Sequence, residues 1–237
     1  MTGHHGAAFS DSAPCGPAVT GAGVALDELE RDALAELGNM GIGKASTALG
    51  RMVGGLVTLS VPAVAITAPT EVAARLESVL PGPLVGVSET LAGVLHGAAL
   101  LIFPETDSLP LVRAALPAEV PPEDAALLEE EALGELGNVV LNSALALVAN
   151  LLGGPIDTGL PVVRRGGAAA ILAACGGGSG NGGMAGDMAG SDAAVLFHID
   201  LRAAAQTVGG QVVLVLDTGS MGTLKATLGR FIGRVRT

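Results

Sequence analysis

Two octapeptides in the chain carry the same polar residues at the same spacing. Asp32-Ala-Leu-Ala-Glu36-Leu-Gly-Asn39 is answered by Glu131-Ala-Leu-Gly-Glu135-Leu-Gly-Asn138. On a helix, positions i, i+4 and i+7 stack on one face. Asp32, Glu36 and Asn39 then form one polar stripe, and Glu131, Glu135 and Asn138 form a second. A carboxylate on such a stripe can grip a cation, and a carboxamide beside it can both donate to and accept from a water. The plainer alternative is structural: Gly allows close helix packing, and Asn pairs with backbone. Against it, Gly in a helix interior costs about 1 kcal/mol relative to Ala, and the chain keeps Gly-Asn in both copies.

Other candidates are weaker. Gly38–Lys44 fits the start of a phosphate loop, but Ala45 stands where a hydroxyl should hold Mg²⁺, and a helical rather than a strand pattern precedes it. Ser46 and Thr47 have no base nearby. His96 and His198 fall in predicted hairpin strands with no acid partner beside either in sequence, which favours a core or hairpin role over catalysis. Cys15 and Cys175 are far apart with no ligand-like spacing, so neither a structural zinc site nor a disulfide framework is expected, and a reduced, cytoplasmic setting fits. His4 and His5 belong to a small, polar stretch, 1–25, read as a flexible tail without the pattern of a signal peptide.

The 237 residues carry a formal charge of -11 and contain no Trp or Tyr. A nucleic-acid partner would call for a Lys/Arg surface and stacking aromatics, so the composition argues against one. The apolar run Val139–Ile156 is interrupted by Asn142, Ser143, Asn150 and a Gly pair, so a buried helix is expected rather than a membrane span.

The elements that must position the two stripes are themselves repeated. Leu29–Val64 falls without a gap on Leu128–Val163, with thirteen of 36 positions identical, including Gly38/Gly137, Gly54/Gly153, Gly55/Gly154 and Pro62/Pro161. Gly97–Phe103 resembles Gly210–Leu216 at a wider offset, and the Gly-rich stretch 176–191 accounts for the difference as an inserted loop. Each repeat, 26–117 and 122–237, reads as a long amphipathic helix (27–53; 122–152), a strand (57–67; 158–163), a shorter helix (71–80; 168–175), a β-hairpin (84–103; 193–216) and a short closing helix (107–116; 220–232). The Gly pairs stop the long helices. The expected fold class is α+β: pseudo-twofold duplicated α-β-α-β-β units, with long helices packed on a shared β-sheet, helices on one side and sheet on the other. Leu34, Leu37, Leu133 and Leu136 are expected to face the core.

On these residues the chain resembles the CheC/CheX/FliY phosphatases of bacterial chemotaxis. That family's pattern is Asp/Ser-x-x-x-Glu-x-x-Asn, then 22 residues, then Pro. Asp32, Glu36, Asn39 and Pro62 fit it in full, and Glu135, Asn138 and Pro161 fit it a second time. Glu131 departs from it, standing where the family has Asp or Ser. The resemblance runs from about Leu26 to the last residue, and two motif copies resemble CheC more than CheX. A chain that ends soon after its second hairpin is expected to lack the motor-switch domain that FliY-type members append.

The resemblance implies a hydrolase acting on the aspartyl phosphate of a CheY-type response regulator. Such a catalyst mainly places a water in line and stabilises charge. Asn39 and Asn138 would orient the water, and Glu36 and Glu135 would anchor on a Lys of the regulator. Asp32, Glu131, Pro62 and Pro161 would support the two sites. The chain would need no cofactor of its own, since the Mg²⁺ would belong to the regulator. The receptor deamidase CheD is a further partner that the resemblance implies. The rival reading is a module that binds or sequesters a response regulator or CheD without turnover.

Overall fold

A computed structural model describes residues 26–52, 56–116, 120–175, 193–203 and 206–235. The tail 1–25, the Gly54-Gly55 pair and the Gly-rich stretch 176–191 lie outside the described residues. In chain order the elements are α1 (Glu28–Met52), β1 (Val57–Thr67), α2 (Val72–Val79), β2 (Leu84–Gly93), β3 (Gly97–Pro104), α3 (Ser108–Ala115), α4 (Pro122–Leu127), α5 (Glu129–Leu152), β4 (Ile156–Thr158), β5 (Val162–Gly166), α6 (Ala168–Cys175), β6 (Ala193–Ala203), β7 (Gln206–Leu216) and α7 (Thr218–Val235).

All strand pairs are antiparallel, in the order β1-β6-β7-β3-β2, with β4 and β5 both on the outer edge of β2. Each half lends its first strand to the other half's hairpin: β1 pairs β6, while β4 and β5 pair β2. The pseudo-twofold passes between β3 and β7. These central strands, Leu100–Phe103 and Val212–Leu216, are buried on both faces, which is why they read as continuous apolar runs rather than alternating ones.

Burial on both faces corrects the expected layering. Helices cover both sides of the sheet. Leu34, Leu37, Leu133 and Leu136 join residues of α3 and α7 on one face, with Val85, Val87 and Leu214 beneath them. Val72 and Leu76 of α2 pack with Ile171 and Leu172 of α6 on the other face, over Leu100, Ile102 and Val213. The short helices α2 and α6 therefore form a third layer, which single-helix periodicity does not distinguish from the first.

The long helices begin and end for local reasons. Asp27 and Glu30 form a reciprocal capping box at α1: the Glu30 N–H donates to Asp27 Oδ1 (2.8 Å) and the Asp27 N–H to Glu30 Oε2 (2.9 Å). Gly153 ends α5 in the left-handed region at φ +74°, which costs a glycine little. The expected second helix, 122–152, is instead two helices. Leu128 breaks it at φ −93°, ψ 0°, and Glu129 is held just beyond by the Ser108 hydroxyl (2.6 Å) and Arg165 (3.0 Å). Burial opposes ionisation of Glu129, but these two partners outweigh it and hold its carboxyl below the usual range. By length and composition α5 could cross a membrane, yet Leu133, Leu136, Val140, Leu141, Leu145 and Val148 lie in the core.

Candidate functional site

The two stripes lie on α1 and α5, which cross closely: a Cβ on Gly41 would stand 3.2 Å from the Ser143 carbonyl oxygen and 3.3 Å from Ala144 Cα. Asp32, Glu36, Glu131 and Glu135 are all exposed. Among the described residues none of these four carboxylates has a side-chain hydrogen bond or an ion pair, so each is available to a cation from outside. To that extent both ridges have the expected form.

The repeated glycines have a packing role. A Cβ on Gly38 would come 3.2 Å from Phe197 Cδ1, and one on Gly137 only 2.5 Å from Val87 Cγ1. Both helices press onto the sheet at the residue just before the Asn. Gly at these two positions allows close helix–sheet packing.

The two asparagines differ. Asn39 is half-buried, and both ends of its carboxamide are engaged with one residue of β1. Its Nδ2 donates to the Val61 carbonyl (3.1 Å), and its Oδ1 accepts from the Val61 N–H (2.7 Å). One turn and three residues on, Ser46 Oγ accepts from the Leu59 N–H (2.9 Å). β1 is the outer strand of the sheet and pairs β6 on one side only. Asn39 and Ser46 thus close its free edge. Next to Val61, Pro62 has no N–H to give, and the register slips between Ser60 and Ala63, leaving Val61 and Pro62 opposite the single residue Ile199. The spacing between Asn39 and Pro62 therefore has a structural cause: it sets the amide against the bulge that the proline marks. The expectation that Asn39 shares the exposed ridge of Glu36 is corrected at this point. The Pro62 side chain lies outside the described residues.

Asn138 has no such partner. The equivalent strand, expected as 158–163, is broken into β4 and β5 around Gly159-Leu160-Pro161. Leu160, in the place of Val61, is 87% exposed, whereas Val61 is 2% exposed. Pro161 lies against α5, with its Cγ 3.9 Å from where a Cβ on Gly134 would stand. Asn138 Oδ1 instead accepts from Asn142 Nδ2, and Asn142 Oδ1 accepts from the Thr158 hydroxyl (3.2 Å). Asn138 Nδ2 has no acceptor among the described residues.

Residues 29–66 match the model of the CheC-like family, a span that holds Asp32, Glu36, Asn39 and Pro62. The chain is 24% identical over 141 residues to the flagellar motor switch phosphatase FliY of Bacillus subtilis. It also superposes on the crystal structure of Thermotoga maritima FliY with a TM-score of 0.64 at 18% identity, covering 87% of this chain and 99% of that one. The family match covers the first motif, and the whole chain shares the fold of the Thermotoga protein. The stretch shared with the Bacillus relative is 59% of this chain and 36% of that protein. The FliM middle domain from H. pylori has the same fold at a TM-score of 0.56 and 7% identity, covering 85% of this chain and 99% of that one.

The remaining candidates take no part in either ridge. Gly38–Lys44 lies wholly inside α1, so it forms no phosphate-binding loop. His96 sits in the β2–β3 connection rather than in a strand. His198 does have an acid beside it: its Nε2 is 3.5 Å from Asp200 Oδ1, two residues along the same face of β6. Among the described residues no group of three or more His, Cys, Asp or Glu is placed to hold a metal.

Sequence reasoning missed Asn142, Thr158 and Glu89. Asn142 lies one turn beyond Asn138 and was legible from that spacing. Glu89 occupies an inward position in the series Val85, Val87, Glu89, Leu91 of β2 and is 1% exposed. A single acid at an apolar alternation site is its signal.

Proposed function

We propose that the protein is an aspartyl-phosphate phosphatase for a CheY-type response regulator in the cytoplasm, and that its second ridge carries most of the turnover. The observation that supports this most directly is the pairing on α5 of an exposed, unpartnered Glu135 with an Asn138 whose Nδ2 has no acceptor among the described residues. An acyl phosphate needs little covalent help, so the work is positioning. In this reading Glu135 grips a regulator lysine and Asn138 orients the attacking water, while the regulator supplies the Mg²⁺. Glu36 gives the first ridge the same grip, and Asp32 and Glu131 add negative charge one turn before each anchor. A relative named as a phosphatase and the family motif in both copies favour the same activity.

A second reading rests on a different observation. Asn39 is committed at both ends to Val61, so the first ridge suits binding of a regulator, or of CheD, without turnover. The test is the decay of a phosphorylated response regulator with and without the protein. Phosphatase activity requires accelerated decay that Asn39→Ala plus Asn138→Ala abolishes in a folded chain. Tight binding with unchanged decay supports the binding module instead. With no Trp or Tyr in the chain, any tryptophan signal in such an assay comes from the partner.

A further inference from the structure

Two residues along β2 from Val87, which meets Gly137 of α5, lies a buried carboxyl that neither ridge uses. Both oxygens of Glu89 are sequestered from solvent and have no hydrogen-bond partner. Leaving an ionised group in that state is costly, so the pocket favours the neutral acid, which carries one donor of its own. Burial pushes the carboxyl up to about 7, against a lowering influence of the Thr158 hydroxyl. Thr158 stands opposite Leu91 of β2, on the face that Glu89 shares and one diagonal step away. Its single hydrogen goes to Asn142 Oδ1, which leaves its oxygen lone pairs able to accept.

The charged groups around Glu89 are engaged elsewhere or turned away. Arg165 of β5 lies on the same sheet face but is bound to Glu105 and Glu129, both at 3.0 Å. Arg164 stands opposite Gly86 and Asp157 opposite Ala92, so both are on the other face. Glu131 and Glu135 of α5 point to solvent.

The donors then run in one direction, from Thr158 to Asn142 and from Asn142 to Asn138. A carboxamide exchanges donor for acceptor when it flips, so the direction of such a run is set by the group at its end. The ridge on α1 has no such end group. By the registers of the two hairpins Glu89, opposite Ala99, corresponds to Phe197, opposite Val212. We propose that Glu89 is a positioning residue for Asn138: as the neutral acid it donates to Thr158 and so fixes the run Thr158–Asn142–Asn138 with the Asn138 amide, rather than its carbonyl, presented at the surface of α5. The inference deepens the phosphatase reading, and its kinetic part rests on that reading.

The experiment compares Glu89→Gln, which keeps a donor, with Glu89→Met, which keeps the shape and loses it. The full chain is labelled with ¹⁵N-asparagine and observed at about pH 6. The side-chain NH₂ resonances of Asn138 and Asn142 are expected to stay in place in Glu89→Gln and to move in Glu89→Met. In parallel, kcat for regulator dephosphorylation is expected to fall roughly tenfold in Glu89→Met with KM unchanged, and to be kept in Glu89→Gln. Where Glu89→Met fails to fold, Thr158→Val cuts the same run one residue later and is expected to give the same shifts. Unmoved resonances in a donorless variant, or equal shifts in Glu89→Gln and Glu89→Met, overturn the inference. A wild-type chain that does not accelerate decay overturns the phosphatase reading alone, because the resonances still report on the run of donors.

Discussion

The two halves carry one motif and use it differently. In the first, Asn39 is a staple that holds the edge strand β1 at its bulge. In the second, the strand has broken, Leu160 has turned outward, and Asn138 is bonded along its own helix to Asn142. The difference follows from a few residues. Val57–Thr67 of β1 is one unbroken strand, whereas Gly159 and Pro161 interrupt its counterpart. Phe197 of β6 lies buried beneath α1, and the equivalent position of the other hairpin holds the buried Glu89 of β2. Identity of a motif therefore does not carry identity of role: the backbone opposite the amide decides whether it is used up.

This contrast predicts unequal costs for equal substitutions. Asn39→Ala leaves the N–H and carbonyl of Val61 unpaired at a buried position, and should destabilise the chain by about 3 kcal/mol in urea unfolding; Asn138→Ala, which unties only a side-chain contact, should cost less than about 1 kcal/mol. Equal losses would mean that Asn39 is not a staple.

Glu89 gives the next effect, and the other hairpin has Phe197 in its place. Its folded-state pKa, about 7, lies above that of an unfolded glutamate. Stability is therefore intact below about pH 4.5 and is lost progressively as the pH rises through 7, where the buried acid must ionise. Between pH 5 and 8 wild type should lose roughly 2 kcal/mol more than Glu89→Gln does. Parallel pH curves for the two proteins would remove the buried acid from the account.

The smallest effect concerns packing. Gly137→Ala drives a methyl against Val87 and should destabilise by about 1–2 kcal/mol, even after the gain in helix propensity. Gly38→Ala meets the ring edge of Phe197 at a longer distance, and should be nearly neutral in a thermal melt. A reversed order would place the tighter helix–sheet contact in the first half.

Much of this architecture was legible in the sequence because its signals are local. The strand 57–67 and the helix 168–175 fall where alternation and helical periodicity place them, and Gly153 ends α5 as a glycine at that position should. The repeat foretold the shared sheet. What stayed hidden depends on pairing between distant segments. The third layer of helices could not be read from α2 and α6 alone, because an apolar helix face does not say which side of a sheet it covers. The bond between Asn39 and Val61 spans α1 and β1, and the motif's long gap to proline recorded it without explaining it. The run from Thr158 to Asn138 joins β4 and α5, two segments that only the fold brings together.

The most direct test of the central claim, that the two asparagines do different work, is the decay rate of a phosphorylated response regulator with Asn39→Ala and with Asn138→Ala. Both are measured well below the melting temperature of the less stable variant. Asn138→Ala should remove most of the acceleration, roughly a hundredfold in rate, while Asn39→Ala keeps it to within about threefold, as removing a stabilising staple from a still-folded chain should. A chain that loses its activity with Asn39→Ala and keeps it with Asn138→Ala would contradict the account.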